Sequence, residues 1–197
     1  MIEPKTPDTA PSLRAADKIR ATAKELFYRD GIRAVGVDEI VAKAGATKPS
    51  LYRTYRSKDE LAAAVLREGA DTFWSRFDAA AAEHPGDPRA QVLAYLEGLA
   101  QRAAQDDYRG CPLSNAAVEY PERGHLARVT AQDHKAELRE RLRTMAAEMG
   151  AGDAHGLADA LLLLIEGAFL TSQLFDEDRP TAEVARAAAR LIDAYTG

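Results

Sequence analysis

Between Thr47 and Lys58 the chain gathers side chains that donate hydrogen bonds or carry positive charge: Thr47, Lys48, Ser50, Tyr52, Arg53, Thr54 and Lys58, with Pro49 among them. Their chemistry is recognition of phosphate oxygens and base edges. Thr47 and Lys48 fall at the expected start of a helix, where backbone amides already favour an anion. Ser50 and Arg53 are a short and a long donor suited to base edges, and Arg prefers guanine. Tyr52 has a hydroxyl for a phosphate and a ring that can pack.

These residues need elements to hold them. The stretch Val37 to Lys58 reads as two short helices joined by a tight turn. Val37, Ile40 and Val41 have the i, i+3, i+4 spacing of one buried helix face. Ala44-Gly45-Ala46 breaks that pattern, and Gly45 supplies the left-handed conformation that reverses the chain. Thr47 is the expected cap of the second helix, and Pro49 sits in its first turn, where no amide donor is needed. Leu51 and Tyr55 share the inner face, which leaves the donors outside. Such a unit suits the major groove of DNA, although helix–turn–helix pairs with a turn glycine also occur in helical proteins that never touch DNA.

The run GIRAVGVDEIVAKAGATKPSLYRTYRSKDEL, residues 31–61, resembles the signature of TetR/AcrR-type transcriptional repressors. The resemblance extends from about Ala16 to Leu66 and includes Ala23, Leu26 and Phe27, then Gly31, Val37, Ile40, Ala42, Ala44, Gly45, Leu51, Tyr52, Lys58 and Leu61. It implies an all-α protein of about nine helices, with a three-helix DNA-binding domain over 14–58 and a ligand-binding and dimerisation domain over 59–197; residues 1–13, with Pro4, Pro7 and Pro11 among small polar residues, read as a disordered arm. It also implies that Thr47, Lys48, Ser50, Tyr52, Thr54 and Lys58 stand at the family's DNA-contacting positions, while Pro49 and Ser50 vary with operator sequence. Two departures stand out. A histidine is usual where Thr54 stands, and threonines are usual at Val35 and Gly36, so the second helix starts without a side-chain cap.

A single head of this size makes too few contacts for tight specific binding. Two heads about 34–36 Å apart read a palindromic site in double-stranded DNA. The expected homodimer forms through helices eight and nine, and the expected regulator is a repressor released by a small molecule.

Composition agrees with this picture. The 197 residues are 46% hydrophobic, enough for a sizeable core. The N-terminal MIEPKTPDTAPS has no apolar run of a secretory signal, and the longest aliphatic run, Leu161 to Ile165, is too short to span a bilayer. One cysteine precludes an internal disulfide framework. A cytoplasmic protein is expected. The net charge of −5 is unevenly spread: residues 1–60 hold 12 Lys and Arg against 9 Asp and Glu, and the rest hold 14 against 22. The positive end thus coincides with the helix–turn–helix, and an acidic body would orient the approach to DNA.

Along the chain, a first helix is expected over about 13–30, with Ile19, Ala23, Leu26 and Phe27 facing inward, then helices two and three over about 37–44 and 49–55. Ser57 and Glu60 form a capping box for a long fourth helix ending near residue 83, a link from head to body. Pro85 to Pro88 breaks it. Helices five to nine are expected over about 88–105, 111–120, 125–149, 153–175 and 181–195. The seventh should face inward through Leu126, Val129, Leu138, Leu142 and Met145, and the eighth is the most apolar.

Candidates for lining an effector pocket are Trp74, Phe77, Tyr95, Leu99 and Tyr108, followed by Cys111, Leu113, Leu162, Glu166 and Phe169. Glu166 is singled out because a buried acid needs a partner; exposure at the helix edge would answer that need equally. Segment 110–121 resembles the second domain of one TetR subgroup. Cys111 would make a redox or electrophile sensor if Arg109 and a helix N-terminus lower its pKa. Other function classes are a helical-bundle metal protein or enzyme, and a helix–turn–helix module for protein partners. Against the former, Glu122 and His125 are the only carboxylate–histidine pair with di-metal spacing where two are needed, and no phosphate-loop or nucleophile-elbow motif occurs. No metal, cofactor or catalytic residue is expected.

Overall fold

A computed structural model describes residues 10–175 and 178–197. Among them it contains nine α-helices and no strand: α1 (Ala10–Asp30), α2 (Val37–Lys43), α3 (Lys48–Thr54), α4 (Lys58–Ala82), α5 (Pro88–Ala103), α6 (Pro112–Glu119), α7 (Leu126–Glu148), α8 (Ala154–Thr171) and α9 (Val184–Thr196). The expected arm over 1–13 lies outside the described residues up to residue 9. From Ala10 onward the chain is already helical, with Pro11 in a first turn that requires no donor there.

The helices fall into two compact units, divided between Leu66 and Arg67. The division lies within α4, not at its start, because Leu61, Ala62, Ala63, Val65 and Leu66 are all buried and complete the head. The head's core is Ile19, Leu26, Ile40 and Leu51, each 0% exposed, ringed by Ala23, Phe27, Ile32 and Val35. Burial of each such aliphatic side chain contributes roughly 1.5–3 kcal/mol.

The body packs α7 against α6 and α8, and α9 against α5 and α8. Its inner face on α7 corrects the sequence reading. Leu126 and Val129 are 46% and 38% exposed, whereas Ala127, Ala131, His134, Leu138, Leu142 and Met145 are buried. Small alanines carry the close helix packing there, which a search for large aliphatics overlooks. Gly110, with φ +71°, lies where a Cβ would meet the Phe169 carbonyl oxygen at 2.7 Å.

The eighth helix ends at Thr171 rather than Phe175. Gln173 and Leu174 donate to carbonyls three residues back, and the Ser172 hydroxyl and Gln173 amide turn onto the Phe169 carbonyl at 2.8 and 3.3 Å. Those side-chain bonds compete with continuation of the helix. Likewise, the start of the expected ninth helix is a 3₁₀ turn over Pro180–Glu183.

Candidate nucleic-acid interface and effector site

α2 begins at Gly36 with no side-chain cap, as the departures at Val35 and Gly36 predict. It ends in a turn in which Gly45 N–H donates to Ala42 O at 3.2 Å and Ala46 N–H to Val41 O at 2.8 Å, with Gly45 at φ +60°. These paired bonds satisfy the last carbonyls of α2 and launch α3 at a fixed angle.

α3 opens with a reciprocal cap. Thr47 N–H donates to Ser50 Oγ at 3.0 Å, Ser50 N–H donates to Thr47 Oγ1 at 3.4 Å, and the Ser50 hydroxyl donates to the Thr47 carbonyl at 2.7 Å. The Ser50 hydroxyl expected at a base edge is thus engaged in the cap. Leu51 at 0% and Tyr55 at 9% exposure bind α3 to the head. Thr47, Lys48, Pro49, Tyr52, Arg53 and Thr54 are exposed, and Ser50 and Lys58 are half-buried.

Two cations have local partners. Lys48 pairs with Asp38 at 2.8 Å, an exposed bond that raises its ammonium pKa and that solvent weakens. Lys58 lies in the first turn of α4, an unfavourable place for a cation. Its Nζ donates to the Val35 carbonyl at 2.7 Å and to the Arg33 carbonyl at 3.4 Å. Those bonds are a local reason for a lysine there. The expected box at Ser57 differs in detail: Glu60 N–H donates to Ser57 Oγ at 3.1 Å, but the Glu60 carboxylate accepts from Arg56 N–H at 2.8 Å.

In the body, Trp74, Phe77 and Tyr95 come together with two residues that the sequence reading missed, Phe73 and His134. Ring centroids lie 4.9 Å apart for Phe77–Tyr95, 5.3 Å for Phe73–Tyr95 and 4.7 Å for Phe73–His134. Burial pushes the Tyr95 hydroxyl well above its usual pKa. The same cause, helped by the charge of Lys135, lowers His134 to about 4 and keeps it neutral.

Glu166 belongs to a second cluster. Its Oε1 pairs with Lys135 Nζ at 2.6 Å and its Oε2 accepts from the Ser114 hydroxyl at 2.6 Å. Lys135 also lies 3.5 Å from Cys111 Sγ and 5.2 Å from the Phe169 ring centroid. Cys111 is 4% exposed. Leu99 and Leu113 are fully buried, while Leu162 and Tyr108 are half-buried. His134 had a readable signal, standing four residues before Leu138 on an apolar face with a lysine beside it. His125 caps α7 through Nδ1 at 3.3 Å from Ala127 N and stacks on Tyr120 at 3.7 Å.

An outward row of donors on a packed three-helix head, followed by an all-helical body, defines a helix–turn–helix regulator. Residues 19–65 match the bacterial regulatory proteins of the tetR family, and the chain belongs to that family of DNA-binding transcriptional regulators. Residues 88–187 match the C-terminal domain of LmrA/YxaF-like transcriptional regulators, which places it in that branch.

A TetR-type regulator from Streptomyces avermitilis is 31% identical, over 92% of this chain and 97% of its own, with a TM-score of 0.83. A TetR-family transcriptional regulator from Streptomyces coelicolor is 27% identical over 93% and 95%, also at 0.83. The HTH-type transcriptional regulator LmrA of Bacillus subtilis is 26% identical over 89% of this chain and 95% of its own. Members of the family are transcriptional regulators that bind DNA and act as dimers, not enzymes.

Proposed function

We propose that this protein is a cytoplasmic repressor that binds a palindromic operator as a homodimer and leaves it when a small molecule enters the body. The observation that carries the reading is the outward row on α3, from Thr47 to Thr54, fixed from beneath by Leu51 and Tyr55. Lys48 and Tyr52 serve the phosphates, Arg53 reads a base, and Lys58 anchors the approach from α4. Binding at the operator blocks transcription by occupancy. Effector binding favours a body conformation in which the dimer's fourth helices hold the heads at the wrong separation.

The dimer forms through α8 and α9. α8 is the one described helix long and apolar enough to cross a membrane, with a mean hydropathy of 1.4 and 33% of it buried. Its open face bears Leu163 at 73% and Leu170 at 59% exposure, with Leu174 at 65% just beyond its end. Gly167 lies on the same face, where a Cβ would meet nothing within 4 Å. A spacing of i, i+4, i+7 and i+11 makes one stripe, and a second copy across a two-fold axis covers it.

The test is fluorescence anisotropy with DNA from the protein's own promoter region at increasing salt, alongside sedimentation. Tyr52→Ala should weaken binding to every sequence, whereas Arg53→Ala should change which sequence is preferred. Leu163→Glu with Leu170→Glu should yield protomers that no longer hold the operator. Undiminished binding by Tyr52→Ala would assign the DNA face elsewhere.

A further inference from the structure

Two adjacent rings in the body carry buried polar atoms without a hydrogen-bond partner. His134 is 3% exposed, and neither Nδ1 nor Nε2 has a hydrogen-bond partner. The indole N–H of Trp74 is buried and has none either. The two rings are neighbours, with centroids 5.5 Å apart at 64°, and Phe73 meets both edge-on, at 5.2 Å from Trp74 and 4.7 Å from His134. Buried polar groups are almost always paired, so adjacent orphans ask for a partner. Ser172, also buried in the body, has such a partner in the Phe169 carbonyl.

We propose that Trp74 and His134 form the polar end of an effector subsite for an uncharged aromatic molecule carrying a hydroxyl group. This assignment rests on the ligand-responsive reading above and specifies its site. An indole N–H only donates, so the ligand must present an acceptor. A neutral imidazole has one donor and one acceptor, and a hydroxyl oxygen answers both kinds of group. A carboxylate accepts only, and it would be buried without a counter-charge. The neighbouring cations are engaged: Lys135 with Glu166 at 2.6 Å, Arg141 with Asp78 at 2.6 Å, and Arg102 over the Tyr95 ring, 5.7 Å from its centroid.

Phe73, Phe77 and Tyr95 supply the apolar walls. Trp74 is only part-buried, so this end of the cluster reaches the surface. There the Arg141 guanidinium lies over Trp74 and Phe77, at 5.2 and 4.7 Å from their centroids.

Trp74 is the sole tryptophan, so the ¹⁵N-labelled full-length protein gives one indole N–H signal from within the subsite. Titration with 4-ethylphenol should shift that signal saturably. Ethylbenzene and 4-ethylbenzoate should bind at least about tenfold more weakly, the usual direction for a site built around a hydroxyl. His134→Phe should reduce the preference for the phenol to within about threefold, and His134→Leu should repeat the result should the larger ring fail to fold. An unmoved indole signal, equal affinities for the three probes, or a preference surviving both variants overturns the subsite. Operator affinity, read separately by anisotropy, isolates the other reading. Phenol binding with the stated preferences but no loss of operator affinity refutes effector release and upholds the subsite.

Discussion

The head and the body treat polar groups in opposite ways. In the head, Thr47 and Ser50 answer each other, Lys58 holds the Val35 carbonyl, and Lys43 ties α2 to Glu25 of α1 at 2.6 Å. In the body, the Trp74 indole N–H and both His134 ring nitrogens are buried without a hydrogen-bond partner, and an ion pair between Lys135 and Glu166 is built into an apolar surround. An unmet buried group costs about 1–3 kcal/mol. The head is therefore chemically complete before it meets DNA, whereas the body tolerates a deficit that a ligand can relieve.

Glycines expose the contrast most sharply. Gly45 in the head and Gly110 in the body both have positive φ, at 60° and 71°. A Cβ on Gly45 meets nothing within 4 Å, so Gly45→Ala incurs backbone strain alone, about 1–2 kcal/mol. A Cβ on Gly110 lies 2.7 Å from the Phe169 carbonyl oxygen and must also displace backbone, for a total of roughly 3–4 kcal/mol. Urea denaturation of the two variants measures the difference, and equal losses would deny the closer packing of the body.

His134 comes next in size. Its pKa is held near 4, below the ordinary 6.5, so the unfolded chain binds more protons between those values. Protonation therefore opposes folding: the penalty is absent above pH 6.5 and grows as pH falls to 4, on the order of 3 kcal/mol in all. His134→Leu should flatten this part of the stability–pH curve and leave stability at pH 7.5 equal or higher. An unchanged slope would mean that the imidazole is solvated in the folded protein.

How legible each region was in the sequence follows from the same contrast. In the head, structure is written locally. A turn glycine, a threonine three residues before a serine, and apolar residues at helical spacing gave the helices and the outward row nearly residue by residue. In the body, partners lie far apart in sequence: Ser114 reaches Glu166, and Phe73 meets His134. Periodicity there placed Leu126 and Val129 inside because they are large, while alanines carry the packing. Glu166 was singled out as an acid that would need a partner if buried; it is part-buried and pairs with Lys135, which nothing local named.

Lys58 tests the head's self-sufficiency on DNA. Lys58→Ala should weaken operator binding about tenfold and reduce the slope of log affinity against log salt by about one per head if the ammonium serves a phosphate. Weakening with an unchanged slope would confine Lys58 to its bonds with the Val35 and Arg33 carbonyls.

The smallest expected effect is at Thr47. Thr47→Ala removes the Oγ1 that accepts from Ser50 N–H, but at 3.4 Å that is the longer half of the cap. The Ser50 hydroxyl can still accept from the amide of residue 47, now 3.0 Å away. The loss should therefore lie at the low end for an N-cap, about 0.5–1 kcal/mol, and Thr47→Ser should restore it. Thermal denaturation of both variants measures this directly. A loss from Thr47→Ala as large as that from Gly110→Ala would mean that the head's start of α3 depends on one side chain, and the picture of a region secured by many local bonds would fail.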